Sequence, residues 1–483
     1  MNYSMLRYVL GRLFLVIAGL MVLPLLVSFI YREPGTYQWA FIATISILLV
    51  VGLPMGSIKP RNHQYYSREG LVIVSLSWVF LSLFGALPFF ISGDIPIFVD
   101  AVFETASGFT TTGSSILTDV ESLAHSILFW RSFTHLIGGM GVLVFALALM
   151  PKSGHATVHV MKAEVPGPIF GKLLSRVSDT ARILYLIYLS MTLVLIVVLC
   201  CFKMPFFDAC LHAFGAAGTG GFGIKSNSVA FYQSPAIEWI LGIAVLLFGV
   251  NFNLYYYLLL RQVKTVLKNE ELRWYLGIFT VATAAICLGI RPLYHGRTGD
   301  MIRDAFFTAA SIQTTTGYTT ADYSQWPLYC HGILLLLSCI GASAGSTAGG
   351  LKVSRVVIYI KQAFVELRSV VSPKRTIRVH FEGKPLDQRD HRSISYYLAT
   401  YSILLVIFTL ILSTCTPDFE TAVSSVVATF NNIGPGLGRV GPTGSYAFLP
   451  AYGKITLTLA MLAGRLELFP ILILFYPRTW KRR

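Results

Sequence analysis

Residues 100–113 read Asp100-Ala-Val-Phe-Glu-Thr-Ala-Ser-Gly-Phe-Thr-Thr-Thr-Gly113, and three later stretches align with them without gaps: Asp208 to Gly221, Asp304 to Gly317 and Thr421 to Gly434. Each opens on Asp-Ala or Thr-Ala and reaches a glycine 13 residues later. A residue of modest size holds the eighth place: Ser107, Gly215, Ser311 and Ala428. Each stretch lies between two long apolar segments. One such match carries little weight. Four at equal spacing form an internal repeat, and a repeat decides the architecture before any single element is considered.

The length of the repeat has a physical meaning. A helix of about 12 residues rises roughly 18 Å, or about half of the hydrocarbon core of a bilayer. Such a helix is too short to cross. It can dip in and return as an extended segment, which is tolerated at membrane depth only where it is buried in protein or lines a water-filled cavity. Four half-helices around one axis would aim four C-terminal ends, with their partial negative charge, at a common point, a site that favours a cation. The turns that follow read Thr111-Thr112-Gly113-Ser114, Gly220-Gly221-Phe222, Thr315-Thr316-Gly317-Tyr318 and Ile433-Gly434-Pro435. Glycine permits the dihedrals needed to face carbonyls to the axis, and a ring of backbone carbonyls can replace the hydration shell of K⁺. Repeats two and four lack the Thr-Thr pair, so the ring cannot be fourfold symmetric in its side chains.

Composition agrees with a membrane location. Of 483 residues, 54% are hydrophobic and 13% charged, where a soluble protein carries about 25% charged residues; the mean hydropathy is +0.65. Ten segments are long and apolar enough to span: roughly 8–30, 37–58, 71–92, 126–150, 183–203, 236–260, 272–291, 328–364 (interrupted), 394–415 and 451–476. The first, with Arg7 and Arg12 before it and no small-residue cleavage site after it, reads as a retained helix and not a signal peptide. The net charge of +15 does not signal nucleic acid. Of the 38 Lys and Arg, 28 fall on the N-terminus, the C-terminus and alternate loops, and eight on the intervening loops. The positive-inside rule then puts both termini in the cytoplasm. The opposite loop from Ile91 to Trp130 has no Lys or Arg but holds Asp94, Asp100, Glu104, Asp119 and Glu121, as a cation entrance requires. The seven cysteines show no paired motif and read as free packing thiols.

These residues resemble a known family. The segments Gly108-Phe-Thr-Thr-Thr-Gly113, Gly138-Gly-Met-Gly141, Gly345-Ser-Thr-Ala-Gly-Gly-Leu-Lys352, Asn431-Asn-Ile-Gly-Pro-Gly-Leu-Gly438 and Gly464-Arg-Leu-Glu467 are similar to those of bacterial Trk-type potassium uptake proteins (the TrkH/TrkG kind), related to KtrB and to plant HKT transporters. The resemblance covers nearly the whole chain. It implies an all-α polytopic membrane protein with four helix–pore-loop–helix repeats in pseudo-fourfold arrangement and two extra N-terminal transmembrane helices. The divisions expected are 1–70 for the two extra helices, then 71–170, 171–265, 266–392 with a broken inner helix, and 393–483 for the four repeats. It also implies that Gly113, Gly221, Gly317 and Gly434 are filter glycines, with Thr111, Thr112, Gly220, Thr315, Thr316 and Ile433 beside them. Glycine at all four places goes with K⁺ over Na⁺.

Other residues suggest a gate. Gly341-Ala-Ser-Ala-Gly-Ser-Thr-Ala-Gly-Gly350 interrupts the eighth span with small, flexible residues that hold a helix poorly. It reads as an intramembrane loop below the filter, with Gly345, Ser346, Thr347, Gly349 and Gly350 at its centre; plain close packing of helices is the alternative. Lys352 either holds this loop, repels cations in a closed state, or anchors the inner face. Arg465 lies mid-span, where a charge costs at least ~2.5–3.5 kcal/mol and so needs a partner or a task; the resemblance places it beside the pore, setting a barrier and bracing the fourth pore loop. Glu467 points to another face and is expected to pair with a neighbouring helix. Arg131, near the outer end of its span, is expected to snorkel. Asp100, Asp208 and Asp304 are expected to cap the half-helices.

The reading is a K⁺-conducting pore subunit of an uptake system in the bacterial inner membrane, multi-pass, with both termini cytoplasmic and no enzymatic activity. K⁺ is the transported ion, with Rb⁺ as a second candidate; no covalent cofactor is expected. The resemblance implies a homodimer and a cytosolic nucleotide-binding ring of the TrkA type, for which the basic 352–392 stretch is a docking candidate beside anionic lipid. A secondary transporter coupling K⁺ to H⁺ or Na⁺ is the first alternative, marked by an intramembrane carboxylate relay. A membrane enzyme would need clustered His and carboxylates, and the histidines show no metal spacing; no Walker A sequence occurs.

Overall fold

The computed structural model describes residues 1–60, 67–141, 177–372 and 378–481. The far half of the 126–150 segment, most of the 151–182 loop and Lys374-Arg375 lie outside the described residues.

Four times along the chain a long apolar helix is followed by a short one, an extended segment and a further helix. The outer helices are Arg68–Ser92, Ala181–Cys201, Glu270–Tyr294 and Asp390–Leu412, each with an apolar window long enough to cross a bilayer. The short helices are Phe98–Phe109, Phe206–Gly218, Thr298–Gln313 and Phe419–Phe430, of 12 to 16 residues. The inner helices begin at His125, Pro235, Leu328 and Ala451. Two more spans, Tyr3–Ile30 and Gly35–Ser57, precede the repeats. Their backbones touch where Gly11 meets Gly56, with Gly52 one turn away, because a side chain at Gly11 would strike the facing main chain. The chain is thus an all-α polytopic membrane protein with four helix–pore-loop–helix repeats and two additional helices.

Ten straight spans do not form. Six described helices are long and apolar enough to cross, or seven if one bent pair counts as a span. The departures fall on the inner helices. In repeat 2, Pro235–Phe248 and Phe252–Leu259 meet at 92°. In repeat 3, Leu328–Ile340 stops at the small-residue loop, and a new helix runs from Val353 to Val371. In repeat 4, Ala451–Arg465 ends where Glu467 and Leu468 take φ of +57° and +66°. In repeat 1, His125–Gly139 ends just before Gly141 at φ +84°. Left-handed dihedrals at residues with a Cβ cost about 1–2 kcal/mol each, so Glu467 and Leu468 are held by their surroundings. An apolar window counts length and does not register such a break, so the breaks are not visible in the ten apolar segments.

The apolar core forms two large halves. One joins the N-terminal helices with repeats 1 and 4, around Phe14, Trp78, Phe109, Trp130 and Phe430. The other joins repeats 2 and 3, around Tyr188, Phe248, Phe307 and Tyr318. The extended segments after the short helices contribute to both halves, Ile116 and Ile224 to the first and Tyr318, Ile433 and Leu437 to the second. Both termini reach one face of the molecule, where the Tyr3 hydroxyl donates to Trp480 O at 2.8 Å. A two-stranded hairpin, His380–Phe381 with Lys384–Pro385, turns through Glu382 and Gly383, both at positive φ.

Candidate ion pathway

The four short helices end alike. The amides of Thr112, Gly220, Thr316 and Ile433 donate to the carbonyls of Ser107, Gly215, Ser311 and Ala428 at 2.8–2.9 Å. The amides of Thr111, Thr219, Thr315 and Asn432 donate to those of Gly108, Ala216, Ile312 and Thr429 at 3.0–3.2 Å. This paired pattern is the Schellman closure, which puts one residue in the left-handed region. Here it is Thr111, Thr219, Thr315 or Asn432, at φ of +53° to +57°. The eighth residue of each repeat is therefore a hydrogen-bond acceptor that closes its helix.

Two residues later the sign of φ is positive again, at Gly113 (+78°), Gly221 (+68°), Gly317 (+83°) and Gly434 (+102°). Such dihedrals are those that let carbonyls of an extended segment face one side. The glycines also lock the repeats into a cycle. A methyl group on Gly113 would strike Gly220 O, one on Gly221 Thr316 O, one on Gly317 Ile433 O, and one on Gly434 Thr112 O. Each repeat thus packs on the next, and the fourth returns to the first. Eight of the ten residues expected there take part in these contacts, and Thr111 and Thr315 directly precede two of them in the chain.

Side chains break the symmetry in the way the missing Thr-Thr pairs imply. The hydroxyls of Thr110 and Thr112 lie 2.7 Å apart, and those of Thr314 and Thr316 2.8 Å apart. In repeat 4, Asn432 Nδ2 instead donates to Thr112 Oγ1 at 2.9 Å and to Met461 O at 3.0 Å. In repeat 2 the space beside Gly218 and Gly220 is filled by the buried His135, whose ring stacks on Phe222 at 4.2 Å.

The small-residue loop passes directly beside this ring, bonds to repeats 2, 3 and 4, and is linked to repeat 1 through Arg465. Gly349 N donates to Thr315 Oγ1 at 2.7 Å, and Gly350 N to Asn431 O at 3.1 Å. Ser343 N donates to Gly249 O, and Phe252 N to Gly345 O, both at 3.1 Å, across the bend in repeat 2. Arg465 supplies the contact with repeat 1. Its Nη1 donates to Thr347 O at 2.8 Å, and its Nη2 to Gly138 O at 2.5 Å and Gly139 O at 2.6 Å. The guanidinium thus sits on the carbonyl end of the first inner helix, where the helix dipole favours a cation. Lys352, buried at 1% exposure and at φ +76°, donates to Ala348 O and so ties the loop to itself. Its burial removes the inner-face anchor from the three readings.

Glu271 holds the loop from the outer helix of repeat 3. Its Oε1 accepts from Ala344 N at 2.7 Å and Ser354 N at 3.2 Å. Glu382 in the hairpin accepts from the amides of Glu270 and Glu271 at 2.9 and 3.0 Å, capping the same outer helix. Hairpin, helix end and loop thus form one hydrogen-bonded chain. Sequence reasoning missed Glu271, because an acid in a first helical turn is ordinary there; the burial that sets it apart is not visible in sequence.

Three expectations need correction. Arg131 does not snorkel: it is 3% exposed, and its Nε donates to Glu104 Oε1 at 2.6 Å. Glu104, taken as one of the acids of the entrance, is equally buried. Asp100, Asp208 and Asp304 do not cap their helices, which start earlier at Phe98, Phe206 and Thr298. They pair with Lys454 at 2.7 Å, the Tyr232 hydroxyl at 2.7 Å and the Tyr294 hydroxyl at 2.6 Å. Only in repeat 4 does a carboxylate cap, and it is Asp418, which accepts from Thr421 N at 2.7 Å. Glu467 does pair with another helix, through Arg355 at 2.5 Å.

Comparison with known proteins agrees with this geometry. Residues 37–482 match the family model described as TrkH, cation transport protein. The chain is 36% identical over 488 residues to the Trk system potassium uptake protein TrkH of Escherichia coli K12, covering all of both chains. It is 33% identical to the TrkG protein of the same organism, covering 95% of each. Among solved structures, the potassium transporter TrkH of Vibrio parahaemolyticus superposes with a TM-score of 0.89 at 32% identity, covering all of both chains. With its four linked pore repeats and its match along nearly the full length, the chain belongs to the TrkH family of cation transport proteins.

Proposed function

We propose that the chain is the K⁺-conducting pore subunit of a potassium uptake system in a bacterial inner membrane. The observation that carries this is the closed ring of four glycines, each packed on the carbonyl before the next. K⁺ sheds water at such a ring, because inward carbonyls replace its hydration shell. The partial negative ends of four half-helices add to the attraction. Thr111, Thr112, Gly113, Gly220, Gly221, Thr315, Thr316, Gly317, Ile433 and Gly434 form the filter, and Rb⁺ passes by the same route. With both termini in the cytoplasm, a negative-inside potential drives inflow by ~2.3 kcal/mol per charge per 100 mV.

Below the filter, Gly345, Ser346, Thr347, Gly349, Gly350, Lys352 and Arg465 form the gate. The loop rests on hydrogen bonds within repeat 3 and to repeats 2 and 4, and Arg465 bridges it to repeat 1, which supports a closed position across the pathway. Opening requires the loop to leave Thr315, Asn431 and Arg465. Two copies of the chain assemble in the membrane, and a cytosolic nucleotide-binding ring acts on the basic inner face.

Obligate coupling to H⁺ or Na⁺ would use a carboxylate free to change partners. Among the described residues the buried acids Glu69, Glu104, Glu238 and Glu271 are each engaged, by Arg68, Arg131, Arg303 and Ala344 N, which favours a gated pore. Purified protein in liposomes tests the choice. A pore passes ⁸⁶Rb⁺ down its own gradient without any proton or sodium gradient. Uptake that vanishes when those gradients are abolished would establish the coupled transporter instead.

A further inference from the structure

Four seams join neighbouring repeats around the glycine ring, and they are not built alike. Between repeats 2 and 3 the Tyr318 hydroxyl donates to His212 O at 3.0 Å. Between repeats 3 and 4 the Tyr323 hydroxyl donates to Gly436 O at 3.2 Å. Between repeats 4 and 1 Tyr446 donates through its hydroxyl to Gly434 O at 2.8 Å and through its amide to Ser115 O at 2.9 Å, while Ser114 Oγ reaches Gly434 O at 3.1 Å. At the strands that follow the glycines, neutral groups close all three; ion pairs cross two of these seams between helices, Glu238–Arg303 between repeats 2 and 3 and Lys454–Asp100 between repeats 4 and 1.

Only in the seam between repeats 1 and 2 does an ion pair, the most buried of the three, bond to the strands themselves. Arg131, on the first inner helix, donates through Nε to Glu104 at 2.6 Å and through Nη1 to Gly223 O at 2.7 Å. Its guanidinium lies 3.5 Å from the centre of the Phe222 ring. Glu104, in the first short helix, also accepts from Ser115 Oγ and from Ile116 N, both at 2.9 Å. One ion pair therefore grips the segment that leaves Gly113 with one partner and the segment that leaves Gly221 with the other. Both partners are almost fully buried, at 3% and 0% side-chain exposure.

Burying two ions costs several kcal/mol each in lost hydration, and an apolar or neutral seam of similar volume is often as stable. At the strands of the other three seams, neutral groups serve instead. What the pair adds is geometry. A guanidinium is a rigid planar fork that fixes two acceptors and an aromatic face at once, which a lysine cannot do. We propose that the Glu104–Arg131 pair is a specificity-determining brace. It sets the spacing between the filter strands of repeats 1 and 2, and through the closed cycle of glycine contacts it sets the width of the whole ring. Arg131 acts through the strands and is a positioning residue. The inference rests on the reading of the ring as a K⁺ filter.

The test compares Rb⁺ and Na⁺ influx into liposomes holding full-length protein. It uses wild type, Arg131→Lys, the charge-free pair Glu104→Gln with Arg131→Met, and Tyr323→Phe at a neutral seam. Arg131→Lys keeps the charge and loses the fork, and the Rb⁺/Na⁺ ratio is expected to fall by about fivefold or more with Na⁺ flux rising. The charge-free pair is expected to behave likewise while remaining folded, since matched removal of both ions is tolerated. Tyr323→Phe should stay within about twofold of wild type. If Arg131→Lys does not fold, the charge-free pair decides. Ratios within twofold of wild type in the folded charge-altered variants would overturn the brace while leaving the filter intact. A wild type that does not discriminate Rb⁺ from Na⁺ would instead overturn the filter reading and the brace with it.

Discussion

The glycine ring and the loop beside it solve opposite problems with the same chain. The ring is made by all four repeats in equal parts, through backbone groups and one repeated turn. The loop is supplied by repeat 3 alone and reaches the other repeats through hydrogen bonds that differ at each contact. A repeated backbone motif holds a fixed width, because each glycine is packed on a neighbouring carbonyl and none can move by itself. A single loop held by unlike bonds can be released by breaking a few of them. The contrast suggests that selection is distributed over the fold and gating is concentrated in one segment.

The largest expected effect breaks the ring. Gly221→Ala places a methyl group against Thr316 O at a left-handed position. The clash and the strain together should reduce Rb⁺ flux by about 100-fold or more, an order expected of a backbone clash at a position that needs glycine. Flux into liposomes, beside size-exclusion behaviour of the variant, measures it.

Next comes the loop. Arg465→Ala removes three hydrogen bonds to carbonyls of repeats 1 and 3 and leaves the ring untouched. Charged hydrogen bonds contribute about 1.5–3 kcal/mol each, so Rb⁺ flux without any cytosolic partner should rise at least tenfold. The Rb⁺/Na⁺ ratio should not move. A change in selectivity without a change in flux would erase the distinction between the two regions.

A smaller effect is expected at Glu271. Glu271→Gln keeps an oxygen for Ala344 N but weakens the charge-assisted bonds to the two amides. A loss of about 1 kcal/mol predicts roughly a fivefold rise in partner-free flux. Glu271→Asp, which keeps the charge on a shorter stem, should lie between the two. Smallest is Tyr446→Phe, which removes one hydroxyl from Gly434 O. It should cost about 1 kcal/mol of stability and lower the melting temperature by a few degrees, with flux nearly intact.

Much of this was legible in the sequence. The four aligned stretches carry the ring, since a turn needing positive φ writes itself as glycine at a fixed distance from the helix start. The loop was legible as Gly341 to Gly350 because small residues cannot continue a helix inside an apolar span. Two kinds of feature were hidden. The breaks in inner helices 2 and 4 fall at Gly249 and at Glu467–Leu468, where local composition gives no warning and tertiary contacts impose the dihedrals. The Glu104–Arg131 pair was hidden because its partners lie 27 residues apart in segments read as an acidic loop and the end of a span. Each looked exposed alone, and only their packing shows that each neutralises the other.

The claim that the glycine ring selects K⁺ is tested most directly by Gly113→Ser. Rb⁺ and Na⁺ influx would be measured in liposomes for wild type and variant, at equal amounts of folded protein. The account predicts that wild type strongly prefers Rb⁺ and that the variant admits Na⁺ with a clearly reduced ratio. An unchanged ratio in a well-folded variant would contradict it.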